Sequence, residues 1–146
     1  MNILLSRTDR LGDLILSTPA IATVRRSFPS ARISIVCSSY NRVVVERNPD
    51  VDELVTLLPN SPPRKLGNRY AGRCDIAIAL APRAADFAVV GASRAPLRLG
   101  YTYARRYFAR ATAWRDLSRL ALSQADPYLS ERNPHRHVRH EVNELI

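Results

Sequence analysis

Seven residues near the amino terminus, Arg7-Thr8-Asp9-Arg10-Leu11-Gly12-Asp13, bring two carboxylates, two guanidiniums and a glycine together in one short stretch. An aspartate, with an ordinary pKa of about 3.9, is ionised at neutral pH and can take the proton from an attacking hydroxyl. Asp13 suits that part, although the same position fits an acidic residue that stabilises the first turn of a helix. Asp9 can position Asp13 or an acceptor, or raise the pKa of the base by like-charge repulsion; it can equally cap the turn or pair with Arg7 or Arg10. Arg7 and Arg10 can hold an acidic sugar or a phosphate through paired N–H donors, or form a solvated surface pair. Gly12, without a Cβ, permits a positive φ and lets substrate approach the backbone.

An apolar run, Ile3-Leu4-Leu5, precedes this stretch, and Leu14-Ile15-Leu16 follows it, so the polar residues fall on a strand-to-helix turn. In an open parallel sheet such turns lie at the carboxyl ends of the strands, where α/β proteins build their sites. Ile33 to Cys37, Leu54 to Leu57, Ile76 to Leu80 and Leu97 to Leu99 read as further strands, separated by segments of helical period. The alternation predicts one α/β domain over 1–146, a Rossmann-like open parallel sheet with helices on both faces and right-handed crossovers. Thr18-Pro19 predicts a break, with a turn over Leu11 to Ser17 and a helix from Pro19 to Ser27. Further helices are expected over Ser39 to Arg47, Leu66 to Gly72 and Ala84 to Gly91, and Tyr101 to Leu122 reads as helical. The last residues, Arg139 to Ile146, read as the opening of another helix.

Strand-to-helix loops share one edge, so Arg64, Lys65 and Arg69 after the third strand and Arg83 after the fourth are expected near Asp13, as acceptor contacts or as ordinary exposed loop charge. The net charge of +9 invites an anionic partner, but 21 of the 22 basic residues are arginine, a bias that a GC-rich genome produces by itself. His135, His137 and His140 lack the accompanying ligand spacing of a metal site. Arg105, Arg106, Arg110, Arg115 and Arg119, interleaved with Tyr103, Tyr107 and Trp114, read as a solvated helix face rather than a nucleic-acid surface. Cys37 and Cys74 read as reduced structural thiols. No G-x-G-x-x-G or G-x-x-x-x-G-K-[ST] motif occurs, so no dinucleotide or phosphate cradle is recognisable. A secretory leader and a membrane-crossing run are both lacking, which places the expected location in the cytoplasm, with any contact to the inner membrane peripheral.

Asp9, Gly12, Asp13, Thr18, Pro19 and Ala20, set behind an apolar strand, resemble the opening of the family nine glycosyltransferases, the ADP-heptose:lipopolysaccharide heptosyltransferases. Asn48-Pro49-Asp50-Val51-Asp52-Glu53 and Gly100-Tyr101 extend the resemblance, which covers nearly all of the chain. It implies the N-terminal, acceptor-side half of a GT-B enzyme that transfers heptose from ADP-heptose to the lipopolysaccharide inner core with inversion and without a metal or other cofactor. Asp13 would be the catalytic base, and Arg7, Asp9, Arg10, Gly12, Arg64, Lys65, Arg69 and Arg83 would serve the anionic acceptor. Ala81-Pro82-Arg83-Ala84-Ala85 departs from the family in being poor in hydrogen-bond donors. The donor would bind a C-terminal domain lying outside these residues or on a separate chain, leaving this fragment alone inactive. The rival expectation is a non-catalytic basic module that binds an acidic glycolipid or polysaccharide.

Overall fold

A computed structural model of the protein describes residues 1–103 and 107–123. Six parallel strands form one sheet in the order β3-β2-β1-β4-β5-β6: β1 is Asn2–Arg7, β2 Arg32–Ser38, β3 Glu53–Leu57, β4 Ile76–Ala79, β5 Leu97–Tyr103 and β6 Arg119–Ser123. Among the described residues four α-helices accompany them: α1 is Leu11–Ser27, α2 Pro63–Asn68, α3 Ala84–Ala92 and α4 Tyr107–Asp116. β1, central in the sheet, is buried from Ile3 to Arg7, as a parallel strand covered on both faces must be. The alternation of its side chains divides the core in two. Ile3 and Leu5 pack with Ile33 and Ile35 of β2 against Leu14 and Ile21 of α1. Leu4 points the other way, into a cluster with Leu66 of α2, Phe87 and Val90 of α3 and Ala113 of α4.

The expected α/β architecture is therefore present, with differences that have local causes. α1 runs unbroken through Pro19. Proline cannot donate to the carbonyl of Ile15 four residues back; the Thr18 hydroxyl donates to that oxygen instead, at 2.8 Å. The expected second helix shrinks to a single 3-10 turn at Arg42–Val44, where the β-branched Val43, Val44 and Val45 disfavour helix and the Asn41 side chain, accepting from Ser38, holds the chain in a turn. α2 starts earlier than expected, at Pro63, whose fixed φ suits the first helical position. Its Gly67 packs against α3, where an added Cβ would fall 2.8 Å from Ala92 Cβ.

The stretch read as helical from Tyr101 to Leu122 holds instead the end of β5, the helix α4 and the edge strand β6. The helical reading holds over Tyr107–Asp116 alone. The expected helical opening at Arg139 to Ile146, and the three histidines, lie outside the described residues. Among the described residues, no helix is long and apolar enough to cross a membrane.

Candidate functional site

β1 is flanked by β2 on one side and β4 on the other, so the strand order reverses beside it and opens a crevice at its carboxyl end. The β1–α1 turn and the β4–α3 loop form the two lips. Arg7 is the last residue of β1 and, at 1% exposure, almost wholly buried. Its Nε and Nη2 donate to the two carboxylate oxygens of Asp9, at 3.0 and 3.2 Å. Nη1 donates to Ser17 Oγ of α1 at 2.9 Å and to the carbonyl of Leu80, just past β4. Nη2 also lies 3.8 Å from Asp13 Oδ2, and the Asp13 side chain is 32% exposed. Arg7 thus ties both lips and α1 to the carboxylate pair, and of that pair Asp13 is the more open to solvent.

Two residues not singled out from the sequence complete the support. Asn41, buried after β2, donates from Nδ2 to the carbonyls of Arg7 and Asp9, at 3.1 and 3.2 Å. Its Oδ1 accepts from the backbone and hydroxyl of Ser38. Asp86, fully buried in the first turn of α3, accepts from Ser6 Oγ at 2.7 Å, from Thr8 N at 3.0 Å and from Thr8 Oγ1 at 3.2 Å. Its setting among Ala84, Ala85, Phe87 and Ala88 was the available signal: a lone carboxylate in an apolar helix implies a buried partner.

Burial, together with the nearby Asp9 charge, pushes the Asp86 carboxyl up to about 6, against the pull of the Ser6 and Thr8 hydrogen bonds and Arg83. The folded state then holds this proton at pH values where the unfolded chain has released it, so stability falls as pH rises from about 4 to about 6. A difference of about two pH units corresponds to roughly 3 kcal/mol. Asp86→Asn keeps an acceptor for Ser6 and Thr8 N and offers an N–H to Thr8 Oγ1. Urea unfolding from pH 4 to pH 7 should show wild type losing roughly 3 kcal/mol more than this variant over the range; equal losses would mean Asp86 titrates normally.

The remaining sequence candidates divide by position. Arg10 is exposed at the N-cap of α1, and Arg83 is exposed at the N-cap of α3 across the crevice. Gly12 lies within α1 without a positive φ, so the conformational freedom that its missing Cβ permits is not used. Nothing stands within 4 Å of where its Cβ would be, and the backbone there is open to approach. The basic segment does not overhang Asp13 as expected. Arg64 on α2 is drawn to the buried Asp116 of α4, at 2.6 Å. Arg69 lines an open groove of about 680 Å³ with Asn2, Arg32 and Glu53, the starts of β1, β2 and β3, at the opposite edge of the sheet. Lys65 is exposed on α2.

Cys37 and Cys74 are buried free thiols, pushed by burial up to about 12 and about 11. Such thiols are protonated and inert. Among the described residues, no three His, Cys, Asp or Glu side chains converge as a metal site would need.

Fold and crevice together define a Rossmann-like α/β domain whose polar cluster sits at the topological switch point. No protein-family model and no curated protein matches the sequence. Solved structures do. A family nine glycosyltransferase from Veillonella parvula superposes on 99% of this chain with a TM-score of 0.71 at 21% identity, and 39% of its own length is covered. The ADP-heptose lipopolysaccharide heptosyltransferase II of Escherichia coli covers 82% of the chain with a TM-score of 0.67 at 23% identity, over 34% of its own length. E. coli heptosyltransferase WaaC, solved with ADP, covers 99% with a TM-score of 0.68 at 13% identity, over 44% of its length. At these identities the likeness is one of fold, and it agrees with the resemblance carried by Asp9, Gly12, Asp13, Thr18 and Pro19. The chain spans roughly two fifths of the length of these solved chains.

Proposed function

We propose that this domain is the acceptor side of an inverting, sugar-nucleotide-dependent glycosyltransferase. In this reading it moves heptose from ADP-heptose to an anionic lipopolysaccharide core. The observation that carries the reading is the part-exposed Asp13 carboxylate beside the buried Arg7, at the crevice where the strand order reverses. The carboxylate takes the proton of an acceptor hydroxyl while that oxygen attacks the anomeric carbon from the face opposite the departing ADP. Arg7 and Asp9 orient the base, and Arg10 and Arg83, exposed on the two lips, meet the acceptor's anionic groups. Open space over Gly12 lets the acceptor lie against α1. The nucleotide is held by a second, donor-binding domain facing this crevice.

The test supplies ADP-heptose and a Kdo-bearing lipid acceptor to this chain assembled with its donor-binding domain and weighs the product by mass spectrometry. A gain of one heptose supports the reading. Acceptor binding without transfer would replace it with the non-catalytic glycolipid-binding module. The 146-residue chain alone should give at most trace product; robust transfer by it would overturn the need for a second domain.

A further inference from the structure

α4 exposes three of the ten aromatic side chains in the protein on ten residues of helix. Phe108 is 93% exposed, Tyr107 75% and Trp114 67%. At 100° per residue, Trp114, Tyr107 and Ala111 fall in one line along the helix, with Phe108 and Arg115 on one flank and Arg110 on the other. Ala113 and Asp116 are buried on the opposite side, towards α3 and β5. The Arg110 guanidinium lies 5.9 Å from the centre of the Tyr107 ring, in cation–π range. The single acid of α4, Asp116, is buried and paired with Arg64 and Arg115, so the outward face carries aromatic and cationic groups with no exposed carboxylate.

A solvated helix face, as expected from the sequence, has no cause to display its largest apolar side chains. Trp and Tyr favour the headgroup level of a bilayer, where an apolar ring can be buried while the polar tip stays wet. Arginines beside them reach lipid phosphates by their long stems. We propose that the outward face of α4 docks on an anionic lipid bilayer, lying in the interface with Phe108 and Trp114 inserted and Arg110 and Arg115 at the headgroups. Charge complementarity chooses this occupant: the helix face is cationic, the chain carries +9, and an anionic leaflet attracts such segments. Ten residues span only about 15 Å, which suits lying on the surface and not crossing it.

Trp114 is the sole tryptophan, so its fluorescence reports this face alone. Vesicles of phosphatidylcholine with about 30 mol% phosphatidylglycerol should shift its emission to the blue and sediment the protein, whereas pure phosphatidylcholine should do neither. Phe108→Ser with Tyr107→Ser should weaken sedimentation at least about tenfold, since both rings supply the apolar area that binding buries. Arg110→Gln with Arg115→Gln should weaken it by roughly twenty-five-fold, at about fivefold for each charge. The aromatic pair is exposed, so circular dichroism melting should show those variants folded. Equal binding to both vesicle types, or binding unchanged in the aromatic variant, would overturn the proposal. A blue shift that grows with protein concentration without lipid would give the face to a second copy instead. None of these readouts depends on sugar transfer, so the proposal stands or falls apart from the proposed function.

Discussion

Asp13→Asn should lower kcat for sugar transfer by 10² to 10⁴ while leaving KM for the acceptor within about threefold, the range that general bases contribute. Asparagine fills the same space and keeps a hydrogen-bonding oxygen, but it cannot accept the hydroxyl proton as the new bond forms. The expected loss corresponds to about 3–5 kcal/mol of the barrier. Folding should be almost untouched. Asp13 is part-exposed and 3.8 Å from Arg7, so its pairing contributes about 1 kcal/mol or less, and Arg7 keeps its two bonds to Asp9. Single-turnover assays of the chain assembled with its donor-binding domain, with thermal melting alongside, check both halves. A variant that transfers at the wild-type rate would remove Asp13 from the chemistry. A variant that fails to fold would instead make Asp13 a structural partner of Arg7. Asp9→Asn separates positioning from chemistry: losing one of the carboxylates that orient Arg7 should cost less in kcat than losing the base.

Most of the sheet was legible because β1, β2 and β4 are short apolar runs bounded by polar turns. The location of the site was legible too, because Arg7 to Asp13 sits on the first strand-to-helix turn. What escaped had tertiary causes. Pro19 reads as a break until Thr18 is seen to satisfy the orphaned Ile15 carbonyl, a bond that depends on one rotamer. β6 is a five-residue edge strand, and within Leu97–Tyr103 the Gly100 that suggests an end is instead the place where Leu117 lies against the backbone. Arg64 and Arg69 carry no mark of which edge they serve; for Arg64 that is decided by Asp116, fifty-two residues away. In the site itself the residue types were visible, yet their roles were not. Sequence offers Arg7 as a ligand contact, whereas its burial makes it the internal counterion on which the exposed carboxylate is hung.

Arg7→Met, which fills a similar volume without charge, should therefore be the most damaging single change to stability among the site residues. Removing the guanidinium strands Asp9, whose side chain is 10% exposed, and leaves Ser17 Oγ and the Leu80 carbonyl short of a donor. Breaking a buried ion pair by deleting one partner costs about 3–5 kcal/mol, because the remaining charge is left uncompensated away from water. For a domain of this size that is a fall in Tm of roughly 10–20 °C, readable by calorimetry. Arg7→Lys should recover only part of it: an ammonium can meet one oxygen of Asp9, but it lacks the planar fork that reaches Asp9, Ser17 and Leu80 together. Adding Asp9→Asn to Arg7→Met removes the stranded charge and should restore about half of the loss. That double variant decides the cause. If it is no more stable than Arg7→Met, the damage comes from lost hydrogen bonds to Ser17 and Leu80 and not from an unpaired carboxylate. A fall of less than about 1 kcal/mol in Arg7→Met itself would place the guanidinium in water and return Arg7 to the surface role that its position in the sequence first suggests.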